Sequence, residues 1–298
     1  MFMIPKISLK DLADNKKSTL NLLSDALSNH GFFVITDHKI PYSLFNEAYK
    51  YSEKFFNLDN LVKTKYSFRE HAGARGYTPF GKETALGETV PDLKEFWHHG
   101  PIVDKTFDKR ILKNIVVSEI DNFNNIFDKL FKEMNSLGLN LLSSISLTLD
   151  LPQDYFEQST KRGNSLLRLI HYPPSNDDNM FRAREHADIN LITLLIGANE
   201  PGLEVKDKSG TWIPVSSSYE DIVCNIGDMM QLVTDQKLKS TPHRVVKYKN
   251  DELKSRYSIP FFMHPSPDTI LKSVFNTDDK GVLAHDFLDE RLKAIKLY

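Results

Sequence analysis

The sequence predicts an α+β protein with a mainly β core: a double-stranded β-helix (jelly roll), preceded by an N-terminal α/β segment and supported by one long helix. Two observations lead to this prediction. Residues 161–270 hold short runs rich in β-branched and aromatic side chains, separated by turn-forming residues. Residues 111–150 repeat apolar side chains at steps of three and four, which is the period of a helix.

The N-terminal segment, residues 1–100, alternates short elements. "IPKISL" and "FFVIT" have the composition of strands, and the run between them has helical spacing and ends at Gly31. A second helix is predicted from Ser43 to Phe56. The segment is therefore expected to be a mixed α/β region.

Residues 73–100 contain five glycines and two prolines and follow neither the helical nor the strand period. A loop of this length inside a compact domain is usually functional or disordered, and its aromatic residues argue against disorder. We expect a lid-like loop over a binding site.

Residues 101–160 are predicted to be a helical support, with one long amphipathic helix over 111–150 that is broken near Gly138. Each of the short runs that follow is predicted to be a strand of a jelly roll, which closes its edges by folding two sheets together. The runs are "LLRLIHY", "INLITLLIG", "LEVKD", "TWIPV", "DIVCNIG", "MMQLVT", "HRVVKY" and "RYSIPFFM". Residues 271–298 are expected to end in a helix on the outside of one compact unit.

Composition limits the partners of the chain. The 298 residues carry 38 basic and 40 acidic side chains, a formal net charge of −2, so no overall field favours nucleic acid or an anionic membrane. No apolar stretch is long enough to predict a transmembrane span. The only cysteine, Cys224, cannot form an intramolecular disulfide, which favours a cytoplasmic location. We expect a small-molecule substrate and a monomer or weak homodimer.

His186 and Asp188 stand two residues apart at the head of an apolar run. On a strand, residues two apart point to the same face, and His243 from a later strand would complete a set of two imidazoles and one carboxylate. Such a facial triad leaves three positions open on an octahedral ion and is typical of non-haem Fe(II) oxygenases. A His-x-Asp pair alone is a weak signal, since it occurs by chance in many proteins.

Arg256 and Ser258 are again two apart on a predicted strand. An arginine fork binds a carboxylate through two parallel hydrogen bonds, and a serine hydroxyl supplies a further donor. A buried arginine without an acidic partner is costly, so an anion is expected beside Arg256. The alternative is a salt bridge to a carboxylate of the protein itself.

Taken in order, several motifs resemble one known family over nearly the whole chain. They are "HGFFVITDHKIP", "DLKEFW", "HADINLITLL", "NIGDMMQLVTD", "STPHRVV" and "RYS". Together they are similar to the isopenicillin N synthase-like branch of the Fe(II)- and 2-oxoglutarate-dependent dioxygenases. The chain departs from the common pattern of that branch in the surface turn "TDQ", and it carries Ile170 where some plant members have a polar residue.

The resemblance implies roles for particular residues. Arg256 and Ser258 would bind the far carboxylate of 2-oxoglutarate, and Tyr172 would hydrogen-bond the bound oxoacid. Gly227 of "NIGD" would serve the geometry of a tight turn. The iron ligands would be His186, Asp188 and His243.

The implied activity is oxidation of a small organic substrate by dioxygen, with Fe(II) as cofactor and 2-oxoglutarate as co-substrate. Hydroxylation is the usual outcome, and desaturation or ring closure uses the same oxidant. Two alternatives remain: a non-haem iron oxidase of the same branch that does not use 2-oxoglutarate, and a cupin-like metal-binding protein.

Candidate substrate contacts come from two places. Phe262 alternates onto the same face of its predicted strand as Arg256, and the lid-like loop supplies Arg75, Tyr77 and Phe96. We expect an anionic or polar end of the substrate at Arg75 and an apolar or aromatic body against Tyr77 and Phe262. The alternative for the end of the loop is a purely structural pair between Lys94 and Glu95.

Overall fold

The structure is a computed structural model, and it describes residues 4–68, 73–83, 92–174, 181–197, 201–247 and 254–295. The helices are α1 (Leu9–Ala13), α2 (Lys17–Asn29), α3 (Tyr42–Phe56), α4 (Asn60–Thr64), α5 (Phe123–Thr148), α6 (Glu157–Thr160), α7 (Asp228–Val233) and α8 (Ala284–Ala294). The strands are β1 (Lys6–Ser8), β2 (Phe32–Thr36), β3 (Gly76–Thr78), β4 (Glu95–His99), β5 (Leu166–Tyr172), β6 (Phe181–His186), β7 (Ile192–Ile196), β8 (Leu203–Lys206), β9 (Trp212–Pro214), β10 (Ile222–Ile226), β11 (His243–Val246), β12 (Arg256–Ser258), β13 (Pro260–Met263), β14 (Ile270–Leu271) and β15 (Val282–Leu283).

Two sheets enclose the centre of the molecule. The larger has the order β1-β2-β10-β7-β13-β5-β4-β3, with β12 also paired to β5, and the smaller has the order β6-β11-β8-β9. Side chains from both sheets line one cavity between them. The predicted double-stranded β-helix is confirmed.

The N-terminal strands join the larger sheet. β1 lies parallel to β2, β2 pairs antiparallel with β10, and β4 pairs antiparallel with β5. Gly31, which adopts a φ of 65°, ends α2 and turns the chain into β2. The predicted helix from Ser43 corresponds to α3. The division into segments at residues 100, 160 and 270 stays a prediction.

The long helix differs from its prediction at two points. It begins at Phe123 rather than near residue 111, because Asn122 lies in the left-handed region with a φ of 65° and interrupts the helix there. It is not broken at Gly138, where an added Cβ would lie 2.4 Å from the Sδ of Met263. Gly138 therefore lets α5 pack closely against β13.

Two strand predictions need correction. "MMQLVT" lies mostly in helix α7, since a six-residue apolar run is too short for its period to separate helix from strand. His186 does not open a strand with Asp188: it is the last residue of β6, an additional strand, and Asp188 lies in the connection to β7. The same-face argument for this pair was therefore wrong, although the two side chains do converge.

The ends of the predicted lid-like loop are ordered by pairing. β3 and β4 lie antiparallel at the edge of the larger sheet, and residues 84–91 between them lie outside the described residues. The C-terminal helix α8 was expected on the outside, but Leu288, Arg291 and Leu292 line the cavity. No helix in the described part of the chain is long and apolar enough to cross a membrane.

Candidate active site

The cavity between the sheets has a volume of about 590 Å³, within the range of small-molecule sites. It contains every residue that the sequence suggested as a metal ligand or co-substrate contact. These are His186, Asp188, His243, Arg256, Ser258 and Tyr172.

The three candidate metal ligands converge at one side of this cavity. His186, at the end of β6, is paired with His243, at the start of β11, and their ring centres are 4.3 Å apart. Asp188 Oδ1 lies 3.9 Å from His243 Nε2. One ligand atom from each residue falls within 4.8 Å of the other two, so a single ion can contact all three.

Hydrogen bonds hold the other polar atom of each ligand side chain. His186 Nδ1 lies 2.7 Å from the carbonyl oxygen of Arg184, and His243 Nδ1 lies 3.3 Å from that of Thr241. When Nδ1 donates to these carbonyls, Nε2 of each ring has its lone pair free for a metal. Such outer contacts orient ligating histidines in known metal sites.

Asp188 is oriented in the same way. Its Oδ2 accepts hydrogen bonds from Thr193 Oγ1 at 2.6 Å and from Asn225 Nδ2 at 2.7 Å, which leaves Oδ1 facing the imidazoles. Gly227 permits a close approach of the turn after β10 to Asn190, because a Cβ there would lie 2.2 Å from the Asn190 carbonyl oxygen. The geometric role suggested for Gly227 agrees with this close approach.

The protonation states suit a cationic ligand. Burial, with the nearby His243, lowers the pKa of His186 to about 4, so its ring is neutral near pH 7. Burial alone would raise the pKa of Asp188, but the two imidazoles and the hydrogen bonds from Asn225 and Thr193 outweigh it and lower the pKa. Neutral nitrogens and an ionised carboxylate are the forms that bind a divalent metal.

Arg256 lies on β12 opposite Tyr172 of β5, and its guanidinium carbon is 5.4 Å from the tyrosine ring centre. The side chain is 1% exposed, and its Nε and Nη1 are buried without a hydrogen-bond partner among the described residues. The salt bridge considered for Arg256 is not present in this part of the chain. A carboxylate oxygen fits these orphaned donors, and Ser258 lies on the same cavity wall.

The candidate substrate contacts divide into two groups. Arg75 and Phe262 line the cavity. Tyr77 does not: its hydroxyl donates to Glu95, and its ring packs 5.9 Å from that of Phe55. Phe96 lies beneath the guanidinium of Arg168, 4.3 Å from its carbon. Tyr77 therefore occupies a framework position away from the cavity. Phe96 lies on the cavity side of β4, packed with Ile170 and Tyr172, although it does not itself line the cavity.

Lys94 and Glu95 do not pair with each other, because neighbours on a strand point to opposite faces. Lys94 bonds Glu83 at 2.6 Å and Asp92 at 3.0 Å, inside the cavity wall. Glu95 faces away from the cavity and bonds Lys63 at 2.8 Å. The structural alternative holds for both residues, but with different partners.

Sequence reasoning missed several polar residues of the cavity. His98, Asn164 and His264 line it, together with Arg168. His98 accepts from Arg168 Nε at 2.6 Å. His264 continues the alternation of Arg256, Ser258, Pro260 and Phe262, which is the signal that would have found it.

Comparison with known proteins agrees with this site. The model of the 2OG-Fe(II) oxygenase superfamily matches residues 163–265, and the N-terminal model of non-haem dioxygenases in morphine synthesis matches residues 4–116. Proline hydroxylase buaE of Petromyces alliaceus is 32% identical over 283 residues, which cover 89% of this chain and 87% of that protein. The 2-oxoglutarate-dependent dioxygenase gloF of Glarea lozoyensis is 31% identical over 278 residues, 84% of this chain and 83% of its own length.

Solved structures show the same fold. A 2OG-Fe(II) oxygenase family protein from Caulobacter crescentus superposes with a TM-score of 0.86 at 35% identity, over 98% of this chain and 99% of its own. A full-length Neurospora crassa protein, solved in complex with alpha-KG, also has a TM-score of 0.86, at 24% identity, over 98% of this chain and 96% of its own. By its family matches and its relatives, the chain belongs to the isopenicillin N synthase-like branch of the Fe(II)- and 2-oxoglutarate-dependent dioxygenases.

Proposed function

We propose that this dioxygenase holds Fe(II) on His186, Asp188 and His243, binds 2-oxoglutarate against Arg256, and hydroxylates a small organic substrate in the same cavity. The observation that carries the proposal is the buried guanidinium of Arg256, two of whose nitrogen atoms have no hydrogen-bond partner among the described residues. It lines the same cavity as the three converging side chains of His186, Asp188 and His243. A buried arginine and a set of metal ligands in one cavity are the features expected of a site that binds an anion coordinated to a metal ion.

Iron and 2-oxoglutarate, when bound, supply the activation of dioxygen, with one oxygen atom passing to the substrate as 2-oxoglutarate becomes succinate and carbon dioxide. The residues of the chain bind and orient. Arg256 and Ser258 hold the far carboxylate, and Tyr172 lies beside it in register with Arg256. Thr193 and Asn225 keep Asp188 Oδ1 directed at the metal position.

Hydroxylation is proposed ahead of desaturation or ring closure because of the relatives. The matching protein from Petromyces alliaceus is named a proline hydroxylase. The apolar cavity walls, formed in part by Leu195, Leu203 and Val245, favour a substrate with an apolar body and exclude water from the reacting atoms.

The test uses the purified protein with Fe(II) and 2-oxoglutarate. Under nitrogen, the complex should show a metal-to-ligand charge-transfer band that needs both components, and a metabolite that binds as prime substrate should shift it. Under air, the protein should release succinate. Oxygen consumption without succinate would instead identify an oxidase that does not use 2-oxoglutarate, and metal binding without any charge-transfer band would indicate a cupin-like protein.

We also infer a monomer or weak homodimer in a reducing, cytoplasmic setting, with no nucleic acid or membrane as partner. The supporting observations are the near-neutral net charge of −2 and the single cysteine, Cys224, which is buried. Light scattering at several protein concentrations tests the oligomeric state.

A further inference from the structure

The cavity has a second polar end, to which the proposed function gives no role. Arg75, Asn164 and His264 form it, and we call these three residues the Arg75 pole. Arg75 is 2% exposed, and its Nη2 donates to Asn164 Oδ1 at 3.3 Å. His264 is 6% exposed, and its Nδ1 is buried with no hydrogen-bond partner in the part of the chain that the structure describes.

The Arg75 pole lies far from the proposed 2-oxoglutarate clamp. Tyr172 at one end of β5 is in register with Arg256, and Leu166 at the other end is in register with Phe262. These ends are six residues apart, or roughly 20 Å along an extended strand. Asn164 lies beyond Leu166, so a group bound at the pole is separate from the far carboxylate of 2-oxoglutarate.

The charges of the cavity distinguish Arg75 from its neighbours. Three other cationic side chains that line the cavity have carboxylate partners among the described residues. These pairs are Lys94 with Glu83 and Asp92, Arg168 with Glu83, and Arg291 with Asp228. Arg256 and Arg75 have none there, and the proposed function assigns an anion only to Arg256.

The contacts of Arg75 are all to neutral groups. Its Nε donates to the carbonyl oxygen of Leu112 at 3.2 Å, its Nη1 to that of Ala74 at 2.7 Å, and its Nη2 to Asn164. A guanidinium has five N–H donors, so two remain after these bonds. Burial lowers its pKa to about 10, and a buried cation is costly until an anion compensates it.

The lack of a side chain at Gly100 leaves the space that the guanidinium of Arg75 occupies. A Cβ at Gly100 would lie 2.2 Å from the guanidinium carbon of Arg75. Asn114 fixes that backbone, accepting from Gly100 N at 2.6 Å and donating to Gly100 O at 2.8 Å. The position of the guanidinium at the cavity wall is therefore fixed by close packing against a hydrogen-bonded backbone.

From these observations we propose that the prime substrate carries a carboxylate, which binds at the Arg75 pole, and that its apolar body extends along Phe262 toward the metal ligands. This inference rests on the proposed function, because it names the substrate class of the same cavity. Arg75 supplies the charge and the two remaining N–H donors, and the buried Nδ1 of His264 supplies one more polar contact.

The experiment measures a preference for acids over amides. Small carboxylic acids, such as phenylacetate and hexanoate, and their primary amides are titrated by calorimetry under nitrogen into the protein holding Fe(II) and 2-oxoglutarate. In the wild-type protein the tightest-binding acid should bind about tenfold or more tightly than its amide, the effect of one charge-assisted hydrogen bond. If no acid of the library binds more tightly than its amide, the proposal is overturned.

Two variants locate the effect. Arg75→Gln should abolish the acid preference, and Gly100→Ala should reduce it because the added methyl group displaces the guanidinium while leaving its charge. Arg110→Gln, an exposed arginine paired with Asp108, is the matched control and should keep the preference. Persistence of the full preference in Arg75→Gln would also overturn the proposal. The wild-type comparison needs no variant, so misfolding of one variant does not remove the test.

The two proposals fail in different ways. Succinate release from 2-oxoglutarate by the wild-type protein reports on the proposed function alone. Binding of 2-oxoglutarate, titrated before each acid, reports whether a variant has kept its folded cavity. A protein that releases succinate but shows no acid preference keeps the proposed function and loses the carboxylate substrate.

Discussion

Thr193 Oγ1 donates a hydrogen bond to Asp188 Oδ2 at 2.6 Å, and this contact decides which oxygen of Asp188 faces the two imidazoles. Asn225, from the neighbouring strand β10, bonds the same oxygen. The free Oδ1 is therefore a consequence of β7 and β10 lying side by side. The metal position depends on side chains that do not themselves reach the metal.

Thr193→Val tests this support with a substitution of nearly equal volume. The loss of one hydrogen bond to Asp188 should weaken Fe(II) binding by about 10–100-fold, the usual effect of removing an outer contact of a metal ligand. Thr160→Val is the matched control, because Thr160 is also buried and its hydroxyl donates to the carbonyl oxygen of Phe156 at 2.6 Å. Competition with a coloured iron chelator measures the affinity, and equal affinity in both variants would contradict the outer role of Thr193.

Removal of a metal ligand should abolish turnover without unfolding the chain. His186→Ala, Asp188→Ala and His243→Ala should each lose succinate release, while far-ultraviolet circular dichroism stays that of the parent, since backbone pairing and a large apolar core hold the sheets. His285→Ala is the control, because His285 is exposed on α8. Succinate release by Asp188→Ala near the parent rate would show that the ligand assignment is wrong.

The sequence predicted the residues of the site better than their local structure. His186, Asp188 and His243 do converge, but the strand that was expected to align the first two is absent at Asp188. Convergence comes from the pairing of β6 with β11 and from the hydrogen bonds of Thr193 and Asn225. The strand pairing and the Asn225 contact join residues far apart in the chain, and the Thr193 contact spans five residues across an irregular connection, so no local period records them.

The helices show the same limit. Apolar residues near the start of the predicted long helix, such as Ile111, Val117 and Ile120, are buried as expected. They belong, however, to a non-helical segment that precedes Asn122. Helical spacing and loop packing produce the same apolar pattern over so short a stretch. The opposite faces on which Tyr77 and Phe96 lie likewise depend on the pairing of β3 with β4, which joins two ends of an irregular segment.

Gly138→Leu should destabilise the fold, because the space beside Gly138 is filled by Met263 of β13. Overpacking at such a contact costs about 1–3 kcal/mol, and the better helix propensity of leucine offsets about 1 kcal/mol at most. Ser136→Leu, on the exposed face of the same helix, should change the free energy of unfolding by less than about 0.5 kcal/mol. Urea denaturation followed by circular dichroism measures both, and equal stability of the two variants would contradict the close packing of α5 on β13.

Arg256→Lys keeps the positive charge but loses the planar fork that binds both oxygens of a carboxylate. The affinity for 2-oxoglutarate should fall by about 1.5–3 kcal/mol, the range for a hydrogen bond to a charged group. Fe(II) affinity should stay the same, because Arg256 is not among the residues whose ligand atoms converge. Arg110→Lys, at an exposed arginine, controls for the substitution itself.

The dissociation constant of 2-oxoglutarate is read from the charge-transfer band of the anaerobic iron complex. A weaker constant in Arg256→Lys together with an unchanged iron affinity places the far carboxylate at the orphaned Nε and Nη1. An unchanged constant would mean that these donors bind a different anion. In that case a carboxylate of the prime substrate would bind at Arg256, and the acid preference assigned to Arg75 would fall in Arg256→Lys instead.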